Sequence, residues 1–259
     1  MTNPIVFLDI DGTILDHEKE VPQASRESIQ KLKDNGVHVA IATGRAPFMF
    51  EDLRKELDIH SYISFNGQYV VFEDEVVYEN PLSKDDLDHL FNKAQGIGHP
   101  MVFLNNKGMR ATEKDYTHIR KSLGSLKFDH PEIDSNFYKE NPIYQALLFC
   151  ESHEEEQYHK SYDTMHFLRW HDYSMDVLPM GGSKAIGIQK FIERVGIPHE
   201  HTYAFGDGLN DREMLQYVAN GIAMGNASDE VKKLANHVTK DVSEDGLSHG
   251  FRMVGLLDK

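Results

Sequence analysis

Two aspartates one residue apart, Asp9 and Asp11, close the apolar run Ile5–Ile10, and Gly12 and Thr13 follow them. Side chains two apart on a strand share a face, so the pair would point one way if the strand ran on. Gly12 allows the chain to turn there instead. Two carboxylates at ~4 Å repel by about 4 kcal/mol at an effective dielectric near 20. A shared proton, a bound cation or both must offset that. The plainer reading of a bare Asp-x-Asp is a pair of solvated acids at a strand end.

A second group of polar oxygens is Gly206-Asp207-Gly208-Leu209-Asn210-Asp211. Its glycines let backbone approach a ligand, and carboxylate and amide oxygens are the donors Mg²⁺ prefers. A helix cap by Asn210 or Asp211 explains one acid here, but not three polar side chains around two glycines. Thr43-Gly44-Arg45 combines a hydroxyl with backbone N–H groups near a helix start, a combination that holds phosphate as readily as it caps a helix. Lys184 follows Gly181-Gly182-Ser183, but the spacing of a nucleotide-binding phosphate loop is absent. A solvated lysine is the ordinary reading.

The elements that position these groups alternate between strand and helix patterns. Ile5–Ile10 and Val37–Ala42 read as buried strands, with Ser25–Asn35 a helix between them ended by Gly36. Pro47–Leu57 reads as a helix, and Tyr62–Phe65 and Tyr69–Phe72 flank the hairpin signal Asn66-Gly67. Such alternation implies a parallel sheet with right-handed crossovers. The middle of the chain changes character. Short strands at Met101–Leu104, Ile143–Phe149, Phe167–Trp170 and Ser174–Leu178 mix with helix patterns at Leu82–Ala94, Tyr116–Leu123 and Glu154–Met165. The α/β grammar then resumes with a helix at Gly182–Val195, a strand at Thr202–Phe205, a helix at Asp211–Val218, a strand at Gly221–Met224 and a helix at Asp229–Ala235. The reading is an α/β core in two parts, 1–82 and 182–259, with an α+β domain inserted at 83–181.

Composition narrows the partners. Lys and Arg number 27 and Asp and Glu 42, a net charge of −15 over 259 residues. That balance argues against nucleic acid or an anionic membrane, which want a basic face. An anionic substrate would have to be held by local cations against the field of the whole protein. The single cysteine, Cys150, excludes an internal disulfide and a multi-cysteine zinc site, and fits a reducing cytoplasm. No run has the length of a membrane span or the layout of a signal peptide. His153 and His159, and His199-Glu200-His201, lack metal-site spacing, and Cys150 ends an apolar strand where a thiol is inert.

Taken in order, Asp9–Thr13, Thr43–Arg45, Ser183-Lys184 and Gly206–Asp211 are similar to the four motifs of the haloacid dehalogenase superfamily, in its Cof-type branch of metabolite phosphatases. The Asn66-Gly67 hairpin and the run 221–227 match as well, so the resemblance spans essentially the whole chain. It implies a Rossmann-like core with a second-position α/β cap that closes over the site and reads the leaving group. It also implies Asp9 as nucleophile, forming an aspartyl-phosphate, and Asp11 as the acid and base that serves the leaving oxygen and then water. That second role wants an Asp11 able to hold a proton near neutral pH, a rise that Asp9 beside it favours. Mg²⁺ would be held by Asp9, the backbone carbonyl of Asp11 and Asp207, with Asn210 and Asp211 candidates for the remaining positions, directly or through water. Lys184, Thr43 and the Gly44 amide would hold the phosphoryl oxygens.

The substrate class this implies is a small phosphorylated metabolite: a sugar phosphate, a phosphorylated cofactor or a nucleotide. Phosphoryl transfer to a second substrate, or binding without catalysis on the same fold, are the alternatives. A signalling receiver shares the paired acids and the lysine, but not the inserted domain or Gly206–Asp211. Leaving group and oligomeric state have no diagnostic pattern, and the loop Leu15–Val21 is expected to help gate the site.

Overall fold

Four apolar residues in a row, all fully buried, make β1 (Ile5–Leu8), the pattern of a parallel strand covered on both faces. A computed structural model of the chain describes residues 3–258. Continuing in chain order, α1 is Gln23–Asp34, β2 His38–Ala42, α2 Glu51–Leu57, β3 Ser61–Ser64, β4 Tyr69–Phe72 and β5 Glu75–Glu79. The middle segment holds α3 (Lys84–Gly96), β6 (Met101–Leu104), β7 (Met109–Ala111), α4 (Thr117–Ser125), α5 (Phe137–Glu140), β8 (Gln145–Phe149), α6 (Glu156–His159), β9 (Met165–His171) and β10 (Ser174–Pro179). The last segment holds α7 (Lys184–Val195), β11 (Thr202–Gly206), α8 (Arg212–Tyr217), β12 (Asn220–Ala223), α9 (Asp229–Lys232), β13 (His237–Val238) and α10 (Gly246–Met253).

These elements divide into two units. One comprises Met1–Arg45, Met49–Glu79 and Ser183–Lys259, the other Ala46–Phe48 and Asn80–Gly182. The sheet of the first unit runs β13-β12-β11-β1-β2-β3-β4-β5. It is parallel from β13 to β3, and β4 and β5 add an antiparallel edge. Chain order runs outward in one direction through β2 and β3 and in the other through β12 and β13. The order therefore reverses beside β1, and ligands of open α/β sheets sit at such a point, beyond the carboxyl ends of the strands. Leu8 lies level with Ile41 of β2 and Phe205 of β11. That register brings the residues that follow these strands, Asp9, Thr43 and Asp207, to one edge.

Helix α7 anchors the core beneath that edge. Phe7 and Phe72 both meet Phe191 edge to face, at 5.3 and 5.5 Å. Ser183 caps the helix, its hydroxyl accepting from the Ile186 N–H at 3.4 Å, and Gly196 ends it at φ +79°. Lys184 thereby becomes the first residue of a helix that buries one face.

The second unit is an antiparallel sheet, β7-β6-β8-β10-β9. Leu87 and Leu90 of α3, Tyr138 of α5 and Tyr158 of α6 pack on one face, against Met101, Phe103, Leu148 and Val177. Among the described residues no helix is long and apolar enough to cross a membrane.

The hairpin signalled by Asn66-Gly67 forms, β3 running antiparallel to β4; Ser64 pairs with Tyr69, so four residues make the connection. Phe65, Asn66 and Gly67 all have positive φ, because this turn packs on the start of α7. A Cβ on Gly67 would lie 2.1 Å from the Ser183 carbonyl oxygen. One local expectation is corrected: Glu154–Met165 is not one helix. Only the single turn α6 forms, and β9 begins at Met165, where Met165 and Phe167 are buried and His166 and Leu168 exposed. That two-residue period overrides the helical spacing upstream.

Candidate active site

Asp9 leaves β1 with its N–H still bonded to the Phe205 carbonyl at 3.0 Å, so its position is set by β11 as much as by its own strand. Its Oδ1 accepts from Lys184 Nζ at 2.5 Å, and the same ammonium donates to Asp211 Oδ1 at 2.6 Å. Lys184 and Asp211 are completely buried and Asp9 nearly so. The other Asp211 oxygen accepts from the backbone N–H groups of Asp207 (3.0 Å) and Gly208 (2.8 Å). Asp211 thus holds both the lysine and the loop 206–211. Gly206 is required beneath it, since a Cβ there would lie 2.6 Å from the Asp211 carboxylate.

Asp207 faces Asp9 from the neighbouring strand. Thr13 Oγ1 donates to its Oδ1 at 3.4 Å and Asn226 Nδ2 to its Oδ2 at 3.0 Å. Asn226 Nδ2 also donates to the Gly12 carbonyl at 2.9 Å, tying the turn after β1 to Asp207. Gly12 sits at φ +79°, where a Cβ would come 2.3 Å from Asp207 Oδ2. Oxygens of Asp9, Asp207 and Asp211 all lie within 4.8 Å of one another. Three carboxylates share one ammonium. Burial, then the Asp211 charge, pushes Asp9 up to about 8 against the pull of Lys184. The same two causes push Asp207 up to about 6. For Lys184, burial works against the charge, but Asp211 and Asp9 outweigh it and hold the ammonium firmly protonated.

Asp11 lies apart from that cluster. Arg45 grips it with two bonds, Nε to Oδ2 at 2.9 Å and Nη2 to Oδ1 at 2.6 Å, and Lys19 Nζ adds a third to Oδ1 at 2.7 Å. Burial alone would raise this carboxyl, but the bonds and charges of Arg45 and then Lys19 hold it below the usual carboxylate range. The expected rise is therefore absent here. Two cations from other segments decide the matter, not the neighbouring Asp9.

Thr43 is buried, and its Oγ1 accepts from the Arg45 N–H at 3.1 Å, as in a capping turn. Its own hydroxyl hydrogen is left to give. Gly44 passes against Asn66, whose amide would meet a Cβ at 3.0 Å. Asn210 points to the same asparagine, Nδ2 donating to Asn66 Oδ1 at 3.1 Å, and stands beside the acid cluster with its nitrogen already committed. Lys19 and Asn226 were not singled out by sequence reading, and Asn66 was named only for its hairpin and the resemblance, not as a site residue. Asn226 lies in the run 221–227, which does carry a signal. Cys150 is buried, which pushes its thiol up to about 11, an inert state.

A magnesium ion fits this set. The donors are hard oxygens from separate segments, and once its three carboxyls are ionised the cluster carries two negative charges beyond what Lys184 neutralises. Asp9 and Asp207 are the candidate carboxylate donors; the oxygens of Asp211 are held by the Lys184 ammonium and two backbone N–H groups.

The fold and the site define a class of enzyme. The profile of the haloacid dehalogenase-like hydrolases matches residues 6–251, and the chain belongs to that family. It is 48% identical over 257 residues to "Putative phosphatase YkrA" of Bacillus subtilis (strain 168), covering 99% of this chain and 100% of the relative. It is 28% identical over 265 residues to 5-amino-6-(5-phospho-D-ribitylamino)uracil phosphatase YitU of the same organism, 94% of each. Among solved structures, a hypothetical protein from Geobacillus kaustophilus HTA426 is 53% identical, with a TM-score of 0.96 over 99% of this chain and 100% of that one. The chain is a phosphatase of the Cof-type branch.

Proposed function

We propose that this phosphatase hydrolyses phosphomonoesters of small metabolites through a phosphorylated Asp9. The observation that carries this reading is the buried Lys184, bonded to Asp9 Oδ1 and to Asp211 Oδ1. With one oxygen of Asp9 held by the ammonium, Oδ2 is the one that attacks. A bond forms from Oδ2 to phosphorus as the ester P–O bond breaks. Water then adds to phosphorus, and the Asp9 oxygen leaves. Splitting the displacement in this way replaces one hard step with two easier ones.

The remaining residues orient and neutralise. Lys184, the Thr43 hydroxyl and the Gly44 N–H receive the phosphoryl oxygens, whose charge is spread in the transition state. Asp9, Asp207 and the Asp11 backbone carbonyl would hold Mg²⁺, with Asn210 close by and Asp211 fixing the loop from outside. Bound there, the ion supplies positive charge to the reacting phosphoryl group. Asp11 serves the protons. Held ionised by Arg45 and Lys19, it is set to take a proton from the attacking water. To give one to a leaving alkoxide it must first be loaded, so esters of acidic alcohols should turn over faster than alkyl esters. The substrate class draws support from YitU, whose name specifies a phosphorylated metabolite. The second unit would choose among leaving groups.

The test is phosphate release from a panel of phosphorylated metabolites, with Mg²⁺ and with a chelator, and Asp9→Asn as control. Release that needs the metal and Asp9 supports the reading. Release that persists in Asp9→Asn contradicts it.

A further inference from the structure

Asp11 is gripped on two sides, and the second grip comes from the loop Leu15–Val21. Arg45 approaches from the end of β2 and engages both oxygens. Lys19 comes from the loop that follows β1, its Nζ 2.7 Å from Asp11 Oδ1. The Asp11 side chain is 41% exposed, so packing does little to fix its rotamer. A carboxylate in that position keeps one orientation only if charged groups hold it.

The Lys19 loop is built to present that side chain. Asp16 Oδ1 accepts from the N–H groups of Glu18 (2.9 Å) and Glu20 (3.0 Å). The Asp16 N–H donates to the Glu20 carbonyl at 2.9 Å, and the Lys19 N–H to the Asp16 carbonyl at 3.1 Å. Residues 16–20 are thus closed on themselves. The Gly12 N–H bonds the Leu15 carbonyl at 2.9 Å, which fastens the loop to the turn that carries Asp11. Lys19 stands at φ +67°, a left-handed conformation that side-chain-bearing residues avoid and glycine takes freely. A strained lysine at a loop tip is accounted for when its side chain is used. Flanked by Glu18 and Glu20, its ammonium nevertheless reaches Asp11.

We propose that Lys19 is a positioning residue for Asp11: with Arg45 it confines the carboxylate to the orientation from which it exchanges protons with the leaving oxygen and with water. In this role Lys19 acts through Asp11, the partner its ammonium bonds. The inference rests on the reading of Asp11 given above.

The experiment is a four-protein cycle with 4-nitrophenyl phosphate and Mg²⁺: wild type, Lys19→Met, Asp11→Asn and the double variant, with Lys19→Arg alongside. Lys19→Met is expected to lower kcat about tenfold or more, the scale of a misplaced catalytic group, with KM nearly unchanged. Lys19→Arg should recover most of the loss. In the Asp11→Asn background Lys19→Met should cost nothing further, since coupled residues are not additive. Wild-type kcat in Lys19→Met, a change confined to KM, or an undiminished loss in the Asp11→Asn background would overturn the proposal. Wild-type kcat in Asp11→Asn would instead remove the reading of Asp11, and the proposal with it.

Discussion

Lys184 and Asp211 form a fully buried ion pair at 2.6 Å, and the same ammonium holds Asp9 at 2.5 Å. Replacing it by a neutral chain of similar length strands buried carboxylates without a counter-charge. Lys184→Met should therefore destabilise the metal-free protein by about 3–5 kcal/mol, the usual cost of breaking a buried pair from one side. Denaturant unfolding measures this. Asp211→Asn added to Lys184→Met should return part of the loss. Unchanged stability in Lys184→Met would mean that the pair does not hold the core of the site.

Metal affinity should depend on pH. Asp207, pushed up to about 6, and Asp9, pushed up to about 8, must lose protons before they can bind a cation. Mg²⁺ binding is expected to tighten from pH 6 to pH 8 and to release protons at pH 7. Calorimetry in buffers of different ionisation enthalpy reads both quantities. A flat affinity across that interval would count against Asp9 and Asp207 as the ligands.

Gly12 is required on two grounds, its φ of +79° and the 2.3 Å approach of a Cβ to Asp207. Gly12→Ala should cost about 1–2 kcal/mol from the left-handed backbone alone. The methyl should also displace the Asp207 carboxylate and weaken Mg²⁺ binding at least about tenfold. Thermal unfolding and metal titration separate the two effects. A variant that binds metal like the wild type would show that Asp207 is not confined by the turn.

Much of the site was legible because it lies at strand ends. Asp9, Thr43 and Asp207 each follow a short apolar run, and parallel pairing brings such ends together whatever the loops do. Asp11 shows where this stops. Its neighbour in sequence is Asp9, which argues for a raised carboxyl, while its partner in space is Arg45, 34 residues away. Lys19 was hidden for a different reason. The turn 16–20 that aims it is made by Asp16 and by a left-handed backbone at a non-glycine residue. Asn66 and Asn226 lie in stretches that carry a signal, but their bonding partners, Asn210 and Asp207, are far away in sequence. In the second unit, the segment 154–165 has helical spacing, but pairing with β10 claims its end for a strand.

The second unit offers a stability test independent of the active site. Asp176, in the middle of β10, is half-buried with Leu147 and Leu168 as its strand neighbours. Burial pushes its carboxyl up to about 7, against a hydrogen bond with Gln145. The folded state then keeps a proton that the unfolded chain gives up near pH 4, so stability falls as pH rises from about 4 to about 7. Asp176→Asn stays neutral throughout. It should raise the melting temperature by a few degrees at pH 8 and by less at pH 5. An equal shift at both values would show that ionisation of Asp176 is not the cause.

In the proposed reaction Asp9 carries the phosphoryl group. Its most direct test is rapid acid quench of the enzyme during turnover of 4-nitrophenyl phosphate with Mg²⁺, followed by peptide mass spectrometry. One phosphoryl group, removed by hydroxylamine, is expected on the peptide containing Asp9, and none in Asp9→Asn, which should not turn over. Phosphate on another residue, or sustained turnover by Asp9→Asn, would contradict it.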